Sequence, residues 1–150
     1  MGEVIVVNGP PGVGKSTVTA CLRRYVPSTV AISGDELRAF APEDARAHLG
    51  GGATYRAAGA LVASYLSLGA ERVIFDYVFS RRAHFAYFRE ALPAGVEPRV
   101  FTLWAPLRAA PEREMAQNLE QMAQIIDTEG LTAEVVAERI HELVSSRSTS

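Results

Sequence analysis

Residues 9–17 read Gly9-Pro10-Pro11-Gly12-Val13-Gly14-Lys15-Ser16-Thr17, and this stretch decides the fold. Gly9, Gly14, Lys15 and Ser16 satisfy G-x-x-x-x-G-K-[ST], the pattern of a loop that wraps a triphosphate. The residue types follow from the chemistry. Glycines lack a Cβ, so successive backbone N–H groups can turn inward around phosphate oxygens, and the helix that follows adds the positive end of its dipole. Lys15 brings a compact point charge to the β and γ phosphates, Ser16 offers a hydroxyl to Mg²⁺, and Thr17 stands in the first helical turn. The loop, with Pro10, Pro11, Gly12 and Val13 between its outer glycines, predicts ATP and Mg²⁺ as ligands.

The flanks supply the context such a loop needs. Val4-Ile5-Val6-Val7 precedes it as an apolar strand, and a helix-forming segment follows, giving strand, loop and helix in order. Beyond Tyr25 the alternation continues. Apolar runs and punctuation predict strands over 3–8, 29–32, 72–76, 98–104 and 124–127. Helices are predicted over 15–25, from Asp35, and over 53–68, 81–91, 112–123 and 132–144, with Gly50-Gly51-Gly52 breaking the chain before the third. Parallel strands need crossover connections, so this alternation predicts an α/β protein with a parallel sheet covered on both faces.

Composition bounds the rest. The 150 residues fit one compact domain, expected over 1–144, with the small polar tail 145–150 expected to be disordered. Hydrophobic residues make up 48% and charged residues 21%, and no apolar run reaches the roughly 20 residues that span a bilayer. The chain opens without a basic leader or a cleavage site, so a cytoplasmic protein is expected. Cys21 is the only cysteine and reads as core packing on a helix. A net charge of -2, with no basic stripe, argues against a nucleic-acid partner. Fourteen of the fifteen basic side chains are arginine, and the single lysine is Lys15.

Ligands of open parallel sheets bind beyond the carboxyl ends of the strands, and two acids stand there. Asp35, in Ser33-Gly34-Asp35-Glu36-Leu37-Arg38 after the second strand, is a candidate general base for a substrate hydroxyl; its structural alternative is a helix cap. Asp76 closes Val73-Ile74-Phe75-Asp76 after the third strand, the Walker B arrangement for holding magnesium; its alternative is a strand-end acid bonded to nearby amides. Arg38, Arg81 and Arg82 are candidate contacts for substrate or phosphate, or solvated helix residues. His48 and His84 read as ordinary helix residues, His141 as solvated, and Trp104 as packing.

With these motifs in place the chain resembles the small P-loop kinases of the nucleoside-kinase-like group, among them the chloramphenicol phosphotransferase-like, gluconate-kinase-like and polynucleotide-kinase-like ATP-binding proteins of AAA type. The resemblance covers nearly the whole chain. It implies a P-loop NTPase fold, a three-layer sandwich around five strands in order 2-3-1-4-5, and transfer of the ATP γ-phosphoryl to a hydroxyl of a small molecule. It further implies that Asp35 touches the acceptor hydroxyl and that Asp127 and Thr128 lie near the adenine. Such kinases place an arginine-bearing lid between strands four and five. Here the segment is short, and Arg113, rather than Arg108, is the lid arginine the resemblance implies. Either the lid is vestigial or a stretch near Ala109 to Glu112 is missing from the chain.

Two other functions stay open at this point. A regulatory ATPase without an acceptor suits the short lid, whereas the pairing of Asp35 with Arg38 favours a kinase, in which Glu36 and the region from His48 to Arg56 would shape the acceptor site. A polynucleotide 5′-kinase would call for a basic groove that the acidic composition does not provide. The acceptor, whether antibiotic, sugar, sugar acid or nucleoside, is not fixed by the residues, nor is the oligomeric state.

Overall fold

The computed structural model describes residues 2–105 and 124–147. Its strands are β1 (Glu3–Asn8), β2 (Thr29–Ser33), β3 (Arg72–Tyr77), β4 (Arg99–Trp104) and β5 (Gln124–Asp127), all parallel, in the order β2-β3-β1-β4-β5. The described helices are α1 (Lys15–Leu22), α2 (Gly34–Ala39), α3 (Glu43–Leu49), α4 (Ala53–Ser67), α5 (Arg82–Arg89) and α6 (Ala133–Arg147). This is the P-loop NTPase topology that the resemblance implies. The helix expected over 112–123, together with Arg108 and Arg113, lies outside the described residues.

Alternation along β1 explains the layers. Val4 and Val6 point into a core made with α4 and α5, through Val62, Phe75 and Phe88. Ile5 and Val7 point the other way, to α1 and α6, through Leu22, Phe101 and Ile140. A continuous apolar run is what a strand buried on both faces requires. Cys21 packs in the second core as expected. Gly59 lets α4 lie close against α5, because a Cβ there would collide with the Phe88 carbonyl.

Element ends differ from the expectations for local reasons. The first helix closes at Leu22 and its expected last turn is a 3₁₀ turn, Arg23–Tyr25. The helical material after Asp35 is two helices, since Pro42 has no N–H to continue α2 and instead precedes α3 with φ −65° and ψ 167°. Gly50 ends α3 at φ 95°, a conformation that a residue with a Cβ rarely adopts. At the far end α6 runs to Arg147, with Val144 buried and the Ser146 hydroxyl donating to the Leu143 carbonyl. Ser148, Thr149 and Ser150 lie outside the described residues.

Candidate active site

The register of the sheet sets the carboxyl ends side by side. Asp76 pairs with Val7 on one side and Ser33 on the other, so the chain leaves β1 for the phosphate loop, and β2 for Asp35, at one level of the sheet edge. Gly9 begins the loop where only glycine fits, because a Cβ would stand 2.8 Å from Val13 Cγ1 and 3.0 Å from the Leu103 carbonyl oxygen. Gly14 then caps α1 in a left-handed conformation, φ 98° and ψ 23°. The loop is thereby bent around the N-terminus of α1, with Ser16 and Thr17 exposed in the first turn. Lys15 Nζ donates to the carbonyls of Gly9 (2.7 Å) and Pro10 (3.0 Å), which arches the side chain back over the loop.

Charge concentrates at this point. Burial lowers the Lys15 ammonium below its ordinary value, and the carboxylates of Asp76 and Asp35 act against that. Burial likewise raises Asp76, against the pull of Lys15, while Asp35 and Glu36 push it further up. The buried Thr19 hydroxyl stands beside Asp76 and favours the charged carboxylate, though its geometry falls short of a well-formed hydrogen bond. Lys15, Asp35 and Asp76 thus form one electrostatic unit.

The structural alternative for Asp35 is taken by another residue. Ser33 is the N-cap of α2, its hydroxyl accepting the Glu36 N–H at 3.4 Å, and Asp35 follows in the first turn. Asp35 is exposed and makes no hydrogen bond or ion pair among the described residues. Gly34 allows this placement, because a Cβ there would overlap the Tyr77 ring.

One turn further along α2 than Asp35, Arg38 lines a cavity of about 580 Å³ to which Arg46, Tyr55, Tyr77 and His84 supply the other larger side chains; Asp35 itself does not line it. Gly50 and Gly51 of the glycine-rich bend and Ala53 and Thr54 at the start of α4 line it as well, whereas His48 does not. Arg56 faces α5 instead, paired with Glu90 at 2.8 Å and stacked 4.3 Å above the Tyr87 ring. Glu36 lines a separate shallow depression with Phe40 and Tyr65. Arg81 and Arg82 open α5, exposed and outside the cavity. At β5, Asp127 accepts the Glu129 N–H at 2.9 Å and the Thr128 N–H donates to the Trp104 carbonyl at 2.8 Å, so both polar groups are committed to the turn that leaves the strand.

Sequence reasoning read His84 as an ordinary helix residue and did not single out Tyr77, while Tyr55 falls within the region from His48 to Arg56 expected to shape the acceptor site. It also passed over Asn8, the polar end of an otherwise apolar strand. Fully buried, Asn8 accepts the Phe79 N–H at 2.7 Å and donates to the Phe79 carbonyl and the Thr102 hydroxyl, both at 3.1 Å. It ties the segment after β3, which carries the cavity wall, to the strand that leads into the phosphate loop.

Loop, charge unit and cavity lie in a chain whose residues 4–145 match the model of a family described as AAA domain. No curated protein matches the chain. Among solved structures it is similar in fold to the tunicamycin resistance protein of Deinococcus radiodurans, at 23% identity over 96% of both chains and a TM-score of 0.71. A sugar kinase from Janibacter sp. HTCC2649 aligns at 13% identity over 97% of this chain and 95% of that one, also with a TM-score of 0.71. The Mycobacterium tuberculosis APS kinase CysC, solved with AMPPNP and APS, aligns at 18% identity over 96% and 98%, with a TM-score of 0.61.

Proposed function

The chain belongs to the AAA domain family of P-loop proteins, and on that premise we propose that it is a phosphotransferase moving the γ-phosphoryl group of ATP to a hydroxyl of a small molecule. The observation that carries this reading is Asp35. With the helix cap supplied by Ser33, its carboxylate stays free within the electrostatic reach of Lys15 and Asp76, one turn before Arg38, which lines a cavity able to hold an acceptor. A nucleotide switch without an acceptor has no use for either. That two of the proteins similar in fold are named kinases supports the same reading.

In this mechanism the backbone N–H groups of residues 9–14 and the N-terminus of α1 hold the phosphates, and Lys15 neutralises charge on the β and γ groups. The donor set fits magnesium: the exposed Ser16 hydroxyl and the Asp76 carboxylate are hard oxygens at the two sides of the loop and would hold the ion there. When bound, the ion supplies charge neutralisation on the phosphate oxygens. Asp35 orients the acceptor hydroxyl and takes its proton as the oxygen bonds to the γ-phosphorus. The bond from that phosphorus to the β–γ bridging oxygen breaks, and ADP leaves with that electron pair. Arg38 steers the acceptor from one turn further along α2, while Arg81 and Arg82 as contacts for substrate or phosphate, and Asp127, Thr128 and Arg113 in the roles the resemblance implies, belong to the same proposal.

The test is Lys15→Ala, measured by ATP titration and by turnover with Mg²⁺. Loss of ATP affinity, or a fall in turnover on the order of a hundredfold or more, is expected for a residue that neutralises the transferring group. Unchanged affinity together with unchanged turnover would refute the assignment of the loop.

A further inference from the structure

The cavity lined by Arg38 has two unlike walls, and together they specify the acceptor; the inference rests on the phosphotransferase reading. One wall is aromatic. The Tyr55 and His84 rings stack 4.3 Å apart at 8°. The Tyr55 hydroxyl is spent on the Val78 carbonyl at 2.6 Å, and His84 Nδ1 accepts the Ser80 N–H at 3.1 Å, which puts any single ring proton on Nε2. Burial and Arg81 hold His84 below its ordinary value, so this wall is uncharged at neutral pH. It offers ring faces and edges to a ligand.

The other wall is cationic. Arg46 is fixed by one nitrogen, Nη1, which donates to the carbonyls of Ala41 (2.8 Å) and Arg38 (3.4 Å), leaving Nε and Nη2 uncommitted among the described residues. The Arg38 guanidinium has no carboxylate partner among them. Arg56, Arg72 and Arg89 show the contrast, each paired with a glutamate. Glu43 is the one carboxylate lining the cavity and is bridged to neither arginine. Two arginines against one glutamate leave the lining with one net positive charge, and a neutral polyol seated there would cover guanidinium forks without answering them.

We propose that the acceptor is an anionic hydroxylated molecule whose carboxylate or phosphate is gripped by Arg38 and Arg46, with its body against the Tyr55–His84 stack and its reacting hydroxyl toward Asp35. A cavity of about 580 Å³ suits a molecule of monosaccharide to nucleotide size.

The test is calorimetric titration of the full chain, saturated with Mg²⁺ and AMPPNP, against matched pairs: glucose and glucuronate, glycerol and glycerate, adenosine and 5′-AMP. The anionic member of at least one pair is expected to bind about tenfold or more tightly than its neutral partner. Arg38→Gln, at an exposed position, should erase most of that preference without changing AMPPNP affinity. Arg46→Gln should do the same, and Arg46→Lys, which keeps the charge, should retain part of it. The inference is overturned if no anion outbinds its neutral partner, whether both bind alike or neither binds, or if the preference survives in both Gln variants. Failure of the underlying reading looks different: AMPPNP does not bind, or a preferred anion binds and no phosphorylated product forms with ATP.

Discussion

Asp76 carries opposing demands on a single carboxyl group. Burial works against its charge, while Lys15 favours that charge and the magnesium role proposed for it depends on it. Replacing it by Asn keeps the shape and removes the charge, so Asp76→Asn is expected to raise the Mg²⁺ concentration for half-maximal turnover by about tenfold or more, as for other groups that hold a metal indirectly. An unaltered magnesium titration would make Asp76 a strand-end residue with no part in the site. At this scale the phosphate loop was legible because its chemistry dictates residue types at fixed spacing, and Gly9 and Gly14 occupy the positions where a Cβ or a negative φ would fail. His84 was not legible, because its partners Tyr55 and Ser80 come from another helix and a loop, and nothing in the local sequence separates a wall residue from a surface one. Asn8 could have been found: an amide closing a strand buried on both faces needs partners.

Among the elements, the turn after β3 depends on that amide. Asn8→Ala would strand the Phe79 N–H in the core and free the segment that bears Val78 and the Tyr55 hydroxyl bond. An unsatisfied buried group costs about 1–3 kcal/mol, so the unfolding free energy from a urea titration is expected to fall by about that amount, accompanied by a raised acceptor KM, since the bond that holds Tyr55 in the cavity wall moves with the turn. A variant as stable as wild type would show that Asn8 is dispensable. Strands β1 and β5 were readable to the residue, while the helices were misjudged at their ends. Apolar runs locate strands, but helix ends depend on caps and on single breakers such as Pro42, whose effect is to split one expected helix into α2 and α3. The split sets Arg38 and Arg46 on different helices that line one cavity.

In the whole molecule, a second charged cluster lies at the opposite end of the sheet, at the start of β1 and β3. Arg72, 1% exposed, bonds Glu3 at 2.6 Å and donates to His141 Nδ1 at 3.1 Å, and His141 stacks on Tyr25 at 4.4 Å. The solvated residue expected at 141 is therefore a partner of a buried arginine. Burial first, and then Arg72, hold His141 below 6.5, against the opposite pull of Glu3 and Glu142. The unfolded chain then binds this proton more readily than the folded one. The contribution of His141 is fully present above 6.5 and is lost as the pH falls toward its folded value, and His84 acts in the same direction. Thermal melts from pH 7.5 down to 5.5 should show falling Tm, with a shallower slope in His141→Gln; equal slopes would remove His141 from the account. The topology itself was legible from the regular alternation of strand and helix, and the strand order came through resemblance, since pairing order leaves no local trace in a sequence.

The most direct measurement is ATP turnover by the purified chain with Mg²⁺, alone and with a panel of hydroxylated acceptors, for wild type and Asp35→Asn side by side. The account predicts acceptor-stimulated turnover with a phosphorylated product, and an Asp35→Asn variant that binds ATP normally but transfers on the order of 10²–10⁴-fold more slowly. Tight ATP binding that no acceptor stimulates, or full transfer by Asp35→Asn, would contradict it.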